Sequence, residues 1–335
     1  MTSKQNNQGD PDDAGIEQLL REAGVRDLPP PAVMEEVRDA VHSEWRQMVG
    51  QRARRKHVIG YAIAAGVAAV AVATTFTVLF IAKPSMTLAQ VERVAGSLEV
   101  DPAGFGEWHT VAPGEQVKTG DTLRTDEGSS AALDFGDGVS VRIDAGSLIE
   151  ITAPDRLALD HGGLYVDAAP RAAGSKMHPL VVETPYGSVR HLGTQYQVRA
   201  SRTGIEVSIR EGRVQIENAA GKHTGDAGEQ LLVAREGELS RGTVAPNDPS
   251  WQWAVRIAPA LDIEHQPLTA FLDWVARETG KQVVYATPQL QLAASQLILR
   301  GSVDELSPEQ ALTAVLAPTA FSQRETSTTI EIQPH

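Results

Sequence analysis

The side chains here with chemistry to offer are carboxylates. Residues 84–335 hold 33 Asp/Glu against 20 Lys/Arg, so the whole formal charge of −13 lies there. Two carboxylates in one cleft can do acid–base work, but a solvated acidic surface accounts for the number without it. Asp134, Asp137 and Asp144, close to Gly136 and Gly138, faintly resemble a calcium loop, yet the EF-hand spacing and its closing Glu are absent. The nine His are scattered, with no His-x-His or His-Glu-x-x-His pair, and there is no Cys. That excludes thiol catalysis, disulfides and Cys-ligated metals, and gives zinc no ligand set. Nor is there a Gly-x-Ser-x-Gly elbow, a Walker loop or a dinucleotide glycine loop. The chain reads as a non-enzyme without metal or cofactor, and its acidic outer part argues against nucleic acid as a partner.

What must be positioned is then a set of surfaces, and the stretch that sorts them is 58–82. Those 25 residues, VIGYAIAAGVAAVAVATTFTVLFIA, carry no charge. As a helix they would span roughly 37 Å, enough to cross a hydrocarbon core about 30 Å thick with some tilt. A buried core helix seldom runs so far without a charge. A signal peptide would not have 57 residues before it. Arg52, Arg54, Arg55, Lys56 and His57 crowd the N-terminal flank, and only Lys83 follows before Pro84. Excess Lys/Arg marks the cytoplasmic side, so the expectation is an inner-membrane protein that crosses lipid once, N-terminus in the cytoplasm and C-terminus in the periplasm.

Residues 1–13 form a polar tail, and 14–57 a cytoplasmic helical segment. Ile16, Leu19, Leu20 and Ala23 make one short apolar stripe. Gly24 and Pro29-Pro30-Pro31 interrupt it, and a second stripe holds Val33, Val37, Ala40, Val41, Trp45, Met48 and Val49. Two such helices in so short a segment either pair as a hairpin or fill a partner's groove. Trp45 sits at the hairpin contact, at the membrane interface or against the partner.

Beyond the membrane, Met86–Ala95 is a short helix or a strand lead-in. From Gly96 to about Val244 the pattern has period two. ALDFGDGVSVRI over 132–143 is a hairpin around Asp137-Gly138. Short strands follow at 148–151, 157–159, 164–168, 180–183, 189–192, 196–199, 205–209, 214–216 and 231–233. Many short strands with glycine turns give a sandwich, barrel or solenoid, an all-β domain over 84–246. Asn247-Asp248-Pro249 is a linker, and Trp251 and Trp253, sharing one side of a strand, cover the seam to the next domain, in preference to forming a ligand platform.

Residues 251–335 read as a small α+β domain in β-α-β-β-α-β-β order. Its strands fall at 261–263, 281–286, 297–303, 321–324 and 328–332. One helix follows Pro267 and ends at Gly280; the other opens at Ser307-Pro308 with a capping-box Gln310. The fold class expected is thus multidomain: a short α-helical N-terminal segment, one transmembrane helix, a solenoid- or sandwich-like all-β domain and a small α+β domain.

Several of these pieces together resemble one family. Gly120-Asp121-Thr122-Leu123, the Asp137-Gly138 hairpin with Val141-Arg142-Ile143, LDHGGLYV over 159–166, Thr184-Pro185-Tyr186-Gly187, LGTQYQV over 192–198 and VSIREGRV over 207–214 look like the periplasmic domain of FecR-type sigma-factor regulators. The Trp pair and residues 261–333 resemble that family's C-terminal part, which is similar to the short domain at the N-terminus of secretins and TonB-dependent transporters. The resemblance implies a signal transducer. The signalling domain of an outer-membrane TonB-dependent receptor docks on the C-terminal domain, and the cytoplasmic segment acts on an extracytoplasmic-function sigma factor. Leu19, Leu20, Val37, Val41 and Trp45 are then the candidate contacts inside. A sheet edge within 281–286 or 328–332 is the candidate outside, which singles out Lys281, Val283, Tyr285, Thr328 and Ile330. Membrane lipid is the third partner. The alternative is an envelope structural or adaptor protein whose β-domain holds a cell-wall polymer or another assembly.

Overall fold

The structure, a computed structural model, describes residues 19, 21–22, 30–41, 43–44, 87–168, 180–191, 193 and 195–335. The apolar run 58–82, the tail 1–13, Leu20 and Trp45 lie outside the described residues. Among the described residues no helix is long and apolar enough to cross a membrane. The chain divides into two compact units, Met1–Ile81 and Ala82–His335, described separately below.

In the first unit residues 31–41, 43 and 44 are helical. The Pro30 carbonyl accepts the amide of Val33 at 2.9 Å, and Pro31 occupies a position where a missing N–H costs nothing. The helix agrees with the second apolar stripe.

In the second unit the strand Thr87–Ala95 comes first, so residues 87–95 are a strand and not a helix. Seventeen strands belong to one hydrogen-bonded network. Followed pair by pair, it resolves into two sheets that share a strand, Arg156–Asp167. Its first half pairs with Leu148–Ala153 and Val181–Thr184; its second half pairs with Ser140–Ile143 and Gln195–Ser201. The sequence pattern splits this strand into two short ones because Gly162-Gly163 interrupts the apolar alternation. In the fold those glycines are the bend at which one continuous strand changes sheets. Gly162 has φ +97°, and a Cβ there would stand 2.5 Å from Ser147 Cα. The Gly163 amide donates to Ser147 Oγ at 2.9 Å, and that hydroxyl donates to the Asp144 carbonyl at 2.8 Å. Only glycine fits such a close approach in the left-handed region.

After this bend successive hairpins alternate between the sheets: 181–191 in one, 195–211 in the other, then 213–226 and 229–243. Alternating hairpins give the domain a solenoid's progression and a sandwich's cross-section. The strands Gly221–Asp226 and Leu239–Thr243 have no counterpart in the sequence reading. They carry few apolar residues, so alternation does not mark them. Between the sheets lies one core, including Leu123, Ile143, Ile149, Leu164, Val198, Val207 and Ile216. Asp134 and Asp144 serve this architecture: Asp134 accepts the Gly136 amide at 2.9 Å in the 135–139 turn, and Asp144 pairs with Arg199 at 2.6 Å.

The C-terminal part has four helices: α1 (Gln252–Arg256), α2 (Leu268–Thr279), α3 (Pro288–Gln296) and α4 (Pro308–Leu316). A three-stranded sheet holds Gln282–Tyr285 and Phe321–Glu325 at its edges and Thr329–Pro334 in the centre. The two-helix expectation is corrected by α1 and α3. The strand expected at 261–263 is absent, and the one expected at 297–303 reduces to a single antiparallel bridge, Ile298 to Pro267. Helix α3 escaped notice because only Ala294 on it is buried, and Leu292 faces solvent. The α4 start is as read, with the reciprocal Ser307–Gln310 capping box and Pro308 in the first turn. Gly280 ends α2 at φ +67°.

Candidate functional site

Three separate surfaces are candidates: in the first unit the helical stripe, and in the second unit the seam between the β-sheets and the C-terminal helices and the edge of the small sheet.

On the first unit's helix Val33, Val37 and Val41 recur at i, i+4 and i+8, which places them on one face. All three are exposed, as is Met34. Leu19 is 68% exposed. A row of this kind is apolar surface without a cover among the described residues. Leu20 and Trp45 fall outside those residues.

The seam is built around two arginines that project from β-strands into a dry interface. Arg142, on Ser140–Ile143, is 1% exposed. Its Nη1 donates to the Ala254 carbonyl of α1 at 2.9 Å, and its Nη2 reaches both carboxylate oxygens of Glu278 on α2, at 2.8 and 2.9 Å. Its guanidinium lies 4.9 Å from the centre of the Tyr165 ring. Arg210, on Gly204–Glu211, donates to the carbonyls of Pro246 at 2.6 Å and Glu278 at 2.8 Å. A guanidinium offers five donors in a rigid fork, so one side chain can tie several backbone carbonyls at once. A third arginine, Arg277, binds Asp167 at 2.6 Å and Glu211 at 2.8 Å, and Gln195 donates to the other Asp167 oxygen at 2.9 Å.

The tryptophans close this seam, as the sequence reading held, but they do so from a 3-10 turn and a helix, not from a strand. Trp251 donates its indole N–H to the Ala245 carbonyl at 2.9 Å and meets Tyr165 edge-on at 5.9 Å. Trp253 donates to Gln197 Oε1 at 2.7 Å. Asp248 caps the turn by accepting the Ser250 amide, and Pro249 follows it, so Asn-Asp-Pro is a helix start as well as a linker.

Electrostatics follow from burial and pairing. Burial opposes the charge on Arg142, but Glu278 and Tyr165 more than offset it, and its pKa is raised. Burial also opposes ionisation of Asp167, yet Arg277, Arg142 and Gln195 hold its carboxyl below the usual range. The Tyr165 phenol, wholly buried, is pushed up to about 12. Farther along the seam Arg93, on Thr87–Ala95, donates to the carbonyls of Ala258, Glu305 and Leu306 at 2.6–3.2 Å. The first strand after residue 86 is thereby fastened to the C-terminal part.

The small sheet settles which strand has a free side. Thr329–Pro334 is paired on both sides, so the 328–332 stretch is not an edge. This corrects one of the two alternatives, since Ile330 is 1% exposed in the core and Thr328 spends its carbonyl on the Gln282 amide. Gln282–Tyr285 is an edge. The amides of Gln282 and Ala286 donate inward, to Thr328 and Ile332. By alternation the N–H groups of Val283 and Tyr285 face the open side. Their side chains, however, pack on the core, and the outward side chains are Gln282 and Val284. Periodicity cannot tell which face the helices cover. Lys281 is held by Glu325 at 2.7 Å.

The seam residues were missed as a set, although a signal existed. Arg142 in VSVRI and Arg210 in VSIRE are charges inside otherwise apolar strands, which only a buried partner makes tolerable.

Comparison with known proteins meets this geometry at one place. Residues 121–215 match the profile of the FecR protein family. No curated protein matches the chain. Two crystal structures of a candidate anti-sigma factor from Parabacteroides distasonis ATCC 8503, at 2.50 and 1.65 Å, are 19% identical over 64% of this chain and 98% and 99% of theirs, with a TM-score of 0.33; a likeness that low decides nothing about this chain. The strands that carry Arg142, Asp167 and Arg210 fall within the stretch that matches the FecR profile, where the motifs quoted above, from Asp121 to Val214, also lie.

Proposed function

We propose that this chain is a single-pass inner-membrane regulator of an extracytoplasmic-function sigma factor. Residues 1–57 lie in the cytoplasm, 58–82 cross the bilayer, and the FecR domain with its α+β partner stands in the periplasm. The observation that carries this reading is the FecR match over 121–215. Three features agree with it: the uncharged run with its basic N-terminal flank, the exposed stripe Val33-Val37-Val41, and the open edge at Gln282–Tyr285. The stripe grips the sigma factor, and the edge receives a strand from a TonB-dependent receptor's signalling domain. The seam makes the FecR and α+β parts respond to that docking together. No step requires catalysis.

A reporter pair placed after His335 tests the topology. Alkaline phosphatase fused there is active and green fluorescent protein is dark if residues 84–335 are periplasmic; the reverse pattern overturns the reading.

A further inference from the structure

The β-domain that holds the FecR match carries exposed apolar groups at one end. Strand pairing identifies it. Thr87 lies opposite Lys118, Thr122 lies opposite Asp101, and the turn 119–121 joins Lys118 to Thr122. The first residue of the first strand and the last residue of Leu98–Asp101 are therefore at the same end. From that end projects the loop 102–108. Phe105 at its tip is 79% exposed, the largest value for a large apolar side chain among the described residues. Gly104 and Gly106 flank it at φ +71° and +82°, and the buried Asp101 carboxylate holds the loop by accepting the amides of Gly106 at 2.9 Å and Glu107 at 3.2 Å. The aromatic is thus presented by a braced turn. Behind it Trp108 stacks under the Arg124 guanidinium at 4.1 Å.

The same end carries a second apolar feature. Gln90 pairs with Asp134 and Thr122 with Glu150, which brings the turns 135–139 and 153–155 there too. Leu88, Phe135, Pro154 and Leu180, with Asp137 and Asp155, line a cavity of about 210 Å³ between them.

We propose that this end of the FecR domain sits on the bilayer surface, with Phe105 inserted at the headgroup level. The inference rests on the single-pass reading above. If the chain leaves lipid at residue 82, Thr87 follows five residues later, a reach of no more than about 18 Å. With so short a tether the end that bears Thr87 cannot stand far from the membrane, and it is the end that bears Phe105. Amphipathic aromatics and arginines that keep an apolar body low and a charge high are the groups that bilayer interfaces accept. On this end Asp137, Asp155 and Glu107 outnumber Lys118, so apolar insertion, and not attraction to anionic lipid, is what the end offers.

The natural absence of cysteine makes the test clean. Full-length chain carrying Phe105→Cys, and separately Glu127→Cys in the turn at the opposite end, is labelled with an environment-sensitive fluorophore. Each is placed in phosphatidylcholine nanodiscs with and without nitroxide-labelled lipid. The label at 105 is expected to emit to the blue of the label at 127 and to be quenched about twofold more by the nitroxide lipid. Equal emission and equal quenching at the two sites, in chain that has entered the nanodisc, would overturn the inference and leave the single-pass reading standing. Chain that fails to enter nanodiscs at all would overturn both.

Discussion

Arg142 and Glu278 face each other at 2.8 Å across the seam, one on a FecR strand and the other on α2, and neither is accessible to water. A pair so placed is poor evidence of net stability, because desolvation of two charges offsets most of their attraction. It is strong evidence of dependence, since removing one partner strands the other. Glu278→Ala in the full chain is therefore expected to cost about 3–5 kcal/mol, read as a lower denaturation midpoint. The double variant Arg142→Met with Glu278→Met should recover much of that loss. A single variant as stable as the parent would show that the two parts do not rely on the contact.

Gly280 is where α2 turns back toward the seam. It has φ +67°, and a Cβ there would fall 2.0 Å from the Pro246 carbonyl oxygen and 2.7 Å from Arg210 Nη2. Gly280→Ala pays both the left-handed penalty and a backbone clash, and is expected to lose more than the roughly 1 kcal/mol of an ordinary glycine C-cap replacement. Chemical denaturation measures it; a loss no larger than that would mean that Pro246 moves away freely.

The Tyr165 phenol gives an alkaline signature. Its pKa rises from 10.0 in the open chain to about 12 in the fold because burial disfavours the phenolate. A group with a raised folded pKa contributes stability below the unfolded value and loses it as pH climbs through the folded one. Stability should fall between pH 10 and about 12. Tyr165→Phe should shrink that fall without removing it, because burial also raises the Tyr196 phenol. Midpoints measured against pH, alongside phenolate absorbance, would reveal an unchanged profile if the ring were wet.

The open side of Gln282–Tyr285 presents the N–H groups of Val283 and Tyr285. Val283→Pro removes one of those donors at an edge, where proline is tolerated, and Val283→Ala removes the same packing while keeping the donor. Receptor signalling-domain binding, followed by titration calorimetry, should fail for the proline variant and survive in the alanine variant. Equal losses in both would place the contact elsewhere.

Much of the fold was legible because its cues are local. The Asp137-Gly138 hairpin, the Gly280 cap and the Ser307–Gln310 capping box each depend on a few neighbouring residues, and each stands as read. What was illegible depends on distant ones. Glycine at 162 and 163 looks like a break in the sequence but is a bend, because its meaning is set by Ser147. Helix α3 buries one residue and so lacks a stripe, although Thr287-Pro288 at its start repeats the cue used correctly at Ser307-Pro308. The seam was half visible: Trp251 and Trp253 announced a contact, while Arg142 and Arg210 meet Glu278 only once strands and a helix 68 to 136 residues apart are folded together. In the first unit, Val37 and Val41 could be chosen from spacing alone, and both are exposed.

The claim that this chain regulates a sigma factor is tested most directly by retention. Full-length chain, solubilised in detergent and immobilised, is challenged with an extracytoplasmic-function sigma factor from the same cell, and bound sigma factor is quantified. The account predicts retention by the parent, retention by Val283→Pro, and loss on the double substitution Val37→Asp with Val41→Asp. Absence of any retained sigma factor, or retention unchanged by the two aspartates, would contradict it.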